Sequence, residues 1–335
     1  MKEPSPLLID RFGRRVDYVR LSVTDRCDFR CVYCMAEDMT FVPKAQVLTL
    51  EEHFQVAKAF SELGVAKIRL TGGEPLIRND VMTLINRLGQ LSALNELVIT
   101  TNGSQLERLA GELKAAGVRR INISLDSLQH RRFRQLTRHG NLDKVLMGVE
   151  SAIRAGFERI KINAVILKGR NEDEVLDLVQ YVCDRGIDIA FIEEMPLGHI
   201  VEHNRLLSFM SSDQLRSMIE QRFQLRSLGE PGESAGPARY YQILGRETRV
   251  GFISPHSNNF CHLCNRVRVT AEGRLLLCLG NEHSVDLKAV LRSDNYTLEL
   301  LKKTIINAMD IKPERHYFDN RGEPEIVRFM NMTGG

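Results

Sequence analysis

Three cysteines stand four and three residues apart in Asp25 to Cys34, "DRCDFRCVYC", directly after the alternating apolar run "VDYVRLSV". Thiolates grouped this closely are read first as metal ligands. Structural zinc requires four protein ligands in a closed tetrahedron, and no His or Cys follows nearby to complete one. A cubane iron–sulfur cluster takes one thiolate per iron, so Cys27, Cys31 and Cys34 would leave one iron open to a substrate or cofactor. A second triad, Cys261, Cys264 and Cys278 in "CHLCNRVRVTAEGRLLLC", also lacks a fourth ligand. Two readings stand for it at this point: a cluster with an open iron, or zinc completed by His256 or His262. Inside that segment Arg266 and Arg268 alternate with Val267, so two guanidiniums project from one face beside the metal, a pairing suited to clamping phosphate.

The elements that must position these groups follow from hydrophobic patterning. Apolar, β-branched segments recur as "YVRLSV", "KIRLT", "ELVITT", "RRINISLD", "RIKINAVIL" and "IDIAFIE", separated by helical stretches such as 51–63, 80–88, 106–116 and 173–185. Six βα units in series predict a parallel sheet and an α/β fold. Several helices end at a glycine suited to the left-handed C-terminal position, Gly64, Gly117, Gly156 and Gly186. Within the strands, polar residues alternate with apolar ones: Arg20, Ser22 and Thr24 oppose Leu21 and Val23, Arg69 and Thr71 oppose Ile68 and Leu70, and Asn122, Ser124 and Asp126 oppose Ile121, Ile123 and Leu125. Lys161 and Asn163 oppose Ile160 and Ile162 in the same way. An open doubly wound sheet buries both faces and reads as almost wholly apolar, which these strands do not. The pattern predicts a barrel whose polar face lines a wet, cationic lumen suited to an anion, with an antiparallel sheet solvated on one face as the alternative. Active sites of such barrels lie at the C-terminal ends of the strands, where Cys27 to Cys34 fall.

A segment rich in Gly and Pro, "GEPGESAGP" from Gly229 to Pro237, breaks the βα rhythm. It divides the chain into a first domain over 1–228 and a C-terminal region over 238–335. At 335 residues and a net charge of +3, the chain carries no global field favouring nucleic acid or an anionic membrane. No run approaches the roughly 20 apolar residues of a bilayer span, and the first residues lack a secretory core, so a cytoplasmic location is expected. Six of the seven cysteines fall into the two triads, which in a reducing compartment reads as metal ligation; Cys183 reads as a buried helical thiol. The stretch "HIVEH", His199 to His203, matches a zinc-peptidase pattern but follows Pro196 and Gly198 with no third ligand in view. The arginines at 131, 132, 134 and 138 read as a solvated helix face.

The CxxxCxxC loop after the first strand, Tyr33 immediately before its last cysteine, and "GGEP" at Gly72 to Pro75 after the second strand resemble the radical S-adenosylmethionine enzymes. With the second triad, the CxRxR run of Cys264 to Arg268 and the terminal Gly334 and Gly335, nearly the whole chain resembles the GTP-cyclising branch of that family, which opens molybdenum cofactor biosynthesis. The resemblance implies an incomplete (β/α)6 TIM-type barrel with a C-terminal α+β extension carrying a second 4Fe–4S cluster and closing the barrel. It implies two 4Fe–4S clusters, S-adenosylmethionine as cofactor and GTP as substrate, cyclised between ribose C3′ and guanine C8 to 3′,8-cyclo-7,8-dihydro-GTP. Tyr33, Gly73, Ser124 and Met195 would contact S-adenosylmethionine; Arg20, Arg69, Thr100, Lys161, Arg266, Val267 and Arg268 would contact GTP. The cofactors would do the bond breaking, with no catalytic side chain beyond them. An electron donor and a downstream cyclic pyranopterin monophosphate synthase are implied partners; a homodimer is left open. One departure stands out: where the family often has an arginine before Phe191, Ile192 and Glu193, this chain has Ala190, so one triphosphate contact is lost or moved.

Overall fold

The computed structural model describes residues 7–200, 202, 204–229, 236–316, 318 and 326–334. The six expected strands form with the helices between them: β1 (Tyr18–Ser22), α1 (Leu50–Glu62), β2 (Lys67–Thr71), α2 (Val81–Gly89), β3 (Glu96–Thr101), α3 (Leu106–Ala115), β4 (Val118–Ser124), α4 (His130–Thr137), α5 (Leu142–Ala155), β5 (Arg159–Val165), α6 (Val175–Arg185) and β6 (Asp188–Ile192). Local signals set the boundaries. Thr49 and Glu52 close a reciprocal capping box on α1. Gly156 and Gly186 take the left-handed conformation that stops α5 and α6.

Beyond β6 come α7 (Arg205–Ser208), α8 (Ser212–Glu220), β7 (Leu225–Ser227), β8 (Arg239–Ile243), β9 (Arg249–Ile253), β10 (Arg266–Val269), β11 (Arg274–Leu276) and β12 (Ser284–Asp286). The helices α9 (Leu287–Leu291), α10 (Leu298–Ala308) and α11 (Met330–Thr333) follow. All the strands join one sheet in the order β12-β11-β10-β1-β2-β3-β4-β5-β6-β9-β8-β7. The strands β1 to β6 are parallel and lie side by side in chain order, which excludes the antiparallel alternative. The later strands clasp both edges: β10 runs parallel to β1, with Arg20 beside Arg268, and β9 runs parallel to β6. The parallel arc is therefore eight strands long, β10-β1-β2-β3-β4-β5-β6-β9. Periodicity misses the outer two because no helix follows either in a βα rhythm. The chain on either side of the Gly- and Pro-rich segment shares this sheet, since β7 pairs with β8 across it.

Parallel strands added in chain order carry their crossover helices on one face. Successive helices accordingly pack against one another, α1 on α2, α2 on α3 and α3 on α5. The apolar strand residues Leu21, Ile68, Leu70, Ile99, Ile121, Ile123 and Ile162 are fully buried on that side. Cys183 is buried in the same core. Among the described residues the opposite, polar face has no helical cover of this kind, and it borders a cavity of about 570 Å³.

Candidate active site

Cys27, Cys31 and Cys34 lie on the loop after β1, at the C-terminal end of the parallel strands, and all three line the cavity. The Phe29 backbone N–H donates to Cys27 Sγ at 3.3 Å, and Asn102 Nδ2 approaches the same sulfur at 3.8 Å. Asp28 holds that asparagine at 2.6 Å and accepts from Ser104 Oγ at 2.6 Å. Burial raises all three thiols, Cys34 to about 12, and Cys31 is raised further by Cys34, Asp126 and Cys27 around it. Such thiols ionise when a metal replaces the proton. Three half-buried thiols that face one cavity and lie close enough to perturb one another fit an iron–sulfur cluster. Among the described residues no three His, Cys, Asp or Glu converge on the position of a single ion. A cubane places each thiolate on a different iron and needs no such convergence.

Beside this loop the Gly72–Gly73 turn closes against the chain. A Cβ at Gly73 would meet the Asp25 carbonyl oxygen at 2.7 Å and collide with that of Arg26, both immovable backbone atoms. Glu74 is fully buried behind the turn, where its carboxyl accepts from Leu76 N at 2.9 Å, Thr101 Oγ1 at 2.8 Å and Asn102 N at 2.6 Å. Burial outweighs those donors and lifts it to about 8. The carboxyl thus ties the glycine turn to the end of β3. Tyr33 donates its hydroxyl to Asp126 at 2.6 Å, and the other Asp126 oxygen accepts from Val165 N at 2.8 Å. Ser124, Met195 and Asn331 complete this end of the cavity.

The lumen is cationic, and the groups in it register that charge. Arg20 and Arg69 project from β1 and β2, and Arg69 donates to Tyr18 Oη at 2.6 Å and Thr100 Oγ1 at 3.1 Å. Burial alone would push the Tyr18 phenol up, but Arg69 and Arg20 beside it pull it down to about 7. Burial likewise lowers the Arg20 guanidinium to about 10, with Arg69 and Arg266 adding repulsion. Lys161 donates to Tyr240 Oη at 3.1 Å. Arg266 Nε is buried without a partner among the described residues, the condition of a donor directed at a ligand. Ala190 is buried in β6 between Asn163 and Gly251; no arginine enters from that position, and Arg249, which pairs with Asp188 at 2.5 Å, lines the cavity nearby.

The second triad sits at the opposite end. Cys264 precedes β10, whose first residue, Arg266, is in register with Tyr18 at the start of β1. Cys278 follows β11, which runs antiparallel back along β10 to the same end. Cys261 and Cys278 are raised by burial; at Cys264 burial is overcome by Lys312 and Arg266, leaving the thiol at about 7. All three line the cavity that the first triad lines. The zinc reading receives no support from its proposed fourth ligands. His262 is exposed, and His256 packs on Phe209 and Phe318 with its Nε2 on the Glu194 carbonyl oxygen at 3.0 Å and does not itself line the cavity.

Every residue that the sequence assigned to cofactor or substrate reaches this one cavity, Thr100, Val267 and Arg268 included. Gly334 comes there too. The Gly334 carbonyl oxygen accepts from Arg268 at 2.6 Å and Arg20 at 3.3 Å, while Gly335 lies outside the described residues. His199 is exposed on a non-helical loop, and His203 lies outside the described residues. Sequence reasoning missed Tyr18, although it shares the face of Arg20 two residues on; it also missed Asn102 and Lys312, for which alternation gives no sign.

This combination, a sequentially ordered parallel sheet with a cysteine triad and a glycine turn at its C-terminal end, defines a radical S-adenosylmethionine enzyme. The family model "Radical SAM superfamily" matches residues 21–182, and "Molybdenum Cofactor Synthesis C" matches 187–318. A GTP 3′,8-cyclase of Saccharophagus degradans is 57% identical over 98% of both chains, and one of Pseudomonas putida strain W619 is 59% identical over 100% of both. Among solved structures, Streptococcus suis SuiB bound to S-adenosylmethionine shares the fold at a TM-score of 0.62 and 16% identity, over 92% of this chain and 78% of that one. The chain belongs to the GTP 3′,8-cyclase family.

Proposed function

We infer that the protein converts GTP into 3′,8-cyclo-7,8-dihydro-GTP, the first step of molybdenum cofactor biosynthesis, with S-adenosylmethionine and two 4Fe–4S clusters as cofactors. One observation carries the reading: both cysteine triads and the cations between them border a single cavity. The fold is read as an incomplete (β/α)6 barrel over 1–228, with 238–335 supplying the second cluster and two of the guanidiniums that meet the substrate, Arg266 and Arg268. An iron–sulfur cluster with S-adenosylmethionine supplies, when bound, a carbon-centred radical at the C-terminal end of the strands.

The protein's own groups then bind, orient and exclude water. Cys27, Cys31 and Cys34 hold the first cluster, and the glycine turn lets a ligand lie against backbone that a side chain would block. Tyr33, Gly73, Ser124 and Met195 flank the cofactor there. Cys261, Cys264 and Cys278 hold the second cluster. Arg20, Arg69, Thr100, Lys161, Arg266, Val267 and Arg268 fix GTP between the two, with charge-assisted hydrogen bonds to its phosphates. A carbon radical attacks almost any C–H bond, so selectivity comes from holding the ribose 3′ hydrogen next to it. A lumen lined by fixed cations does this without a nucleophile or general base.

The test is anaerobic incubation of reconstituted protein with reductant, S-adenosylmethionine and each nucleoside triphosphate in turn. Release of 5′-deoxyadenosine with GTP, together with the cyclised nucleotide, is expected. Equal release with ATP, or about four irons per chain in place of about eight, would refute the assignment.

A further inference from the structure

Lys312 is a charged side chain that this reaction leaves unused. It follows the helical turn Met309–Ile311, is 1% exposed, and its Nζ donates to Cys264 Sγ at 3.6 Å. No carboxylate among the described residues pairs with it. It does not line the cavity, so the ammonium approaches the second triad from behind, within the protein wall. Its segment is clamped to the same triad by Arg14, which donates to the carbonyl oxygens of Pro313 at 2.7 Å, Glu314 at 2.6 Å and Cys261 at 2.8 Å. Arg14 has its own counter-ion in Asp10, at 2.7 Å. Among the described residues Lys312 has none.

A buried ammonium with no carboxylate beside it is unfavourable, and removing such a charge for an apolar side chain of similar volume stabilises many proteins. The placement becomes favourable when an anion stands at the triad, and a cluster ligated by three thiolates is one. We infer that Lys312 is a positioning residue for the second cluster. Its fixed positive charge and its N–H···S hydrogen bond retain that cluster and raise its reduction potential, while the cavity side is left to the substrate. Hydrogen bonds to cluster sulfurs and local charge are among the known determinants of such potentials. The inference rests on the two-cluster reading.

The experiment uses the full chain carrying Cys27→Ala, Cys31→Ala and Cys34→Ala, so that only the second site loads, and adds Lys312→Met or Lys312→Arg. Iron and sulfide content are measured after anaerobic reconstitution, and the potential by redox titration followed by electron paramagnetic resonance. Lys312→Met is expected to bind iron less tightly and to shift the reduction equilibrium about tenfold toward the oxidised form, a fall of about 59 mV for one electron. Lys312→Arg should restore most of both. Without iron, Lys312→Met should melt at or above the temperature of its parent, an opposite sign that a lysine needed only for packing would not give. If the parent loads and Lys312→Met matches it in iron and potential, or if Lys312→Met fails to fold, the inference is overturned alone. If the parent takes up no iron, the two-cluster reading falls and takes the inference with it.

Discussion

Tyr18 offers a quantitative probe of the lumen. Its phenol sits near 7, against an ordinary value of 10.0, because Arg69 and Arg20 outweigh its burial. Between these two values the folded chain carries a phenolate and the unfolded chain a phenol, so the unfolded state binds more protons and stability rises with pH. The contribution is fully present above 10 and is lost as the pH falls through 7. Each pH unit in the window is worth about 1.36 kcal/mol, which after partial titration at the lower end leaves about 2 kcal/mol gained between pH 7 and 9. Tyr18→Phe removes that slope, and it also removes the acceptor of Arg69 Nε, so its absolute stability falls. The difference between wild type and variant is the quantity to read, because other titrating groups such as Cys264 are common to both. Urea unfolding of the iron-free protein at about pH 6, 7, 8 and 9 gives it. Curves that stay parallel across this range would refute the argument, as would a phenolate absorption band that titrates near its ordinary value. A bound nucleoside triphosphate competes for the same cations. Near pH 8 its binding should therefore draw a proton onto Tyr18, visible as buffer-dependent heat in calorimetry and absent in Tyr18→Phe.

Two further changes test the two ends of the cavity. Gly73→Ala places a methyl group against the carbonyl oxygens of Asp25 and Arg26, at the start of the cysteine loop; an overpacking cost of about 1–3 kcal/mol predicts a lower melting temperature and at least about tenfold weaker S-adenosylmethionine binding by equilibrium dialysis. Arg266→Ala removes a guanidinium whose buried Nε has no partner among the described residues; a charged hydrogen bond worth about 1.5–3 kcal/mol predicts roughly 10- to 100-fold weaker GTP binding with the iron of the first site unchanged.

The strands and the polar face were legible because a period of two is imposed by the pleat itself: Arg20, Arg69 and Lys161 stand among apolar neighbours that the helices cover, and no packed core accepts three such charges. The triads were legible because cysteine spacing within one loop is local. What pairs with what was not. That β10 lies beside β1, bringing Arg268 level with Arg20, depends on contacts between segments far apart in the chain, and nothing in "RVRV" specifies its neighbour. Lys312 and Asn102 stayed hidden for the same reason. Each acts on a sulfur far away in the chain from a segment without periodic signal, and a single buried lysine becomes conspicuous only when its surroundings are known.

That pairing also sets the distance between the two proposed clusters. One triad follows the end of β1 and the other flanks the start of β10, which begins level with β1. A strand of five residues spans about 16 Å, so the triads are held apart by roughly that length of sheet, with Arg20 and Arg268 at its middle. Clusters that shared one end would crowd out a nucleotide, and clusters on separate surfaces could not both address it. A separation of one strand admits a purine nucleotide and a methionine-type cofactor end to end. With both clusters in a paramagnetic state, dipolar coupling should report a distance on the order of 16 Å, less the reach of the cysteine side chains inward. Substituting the triad at either end should abolish the coupling without moving the other signal. Two independent signals with no coupling would mean that the sites do not face each other, and a nucleotide could not then be held by one and attacked from the other.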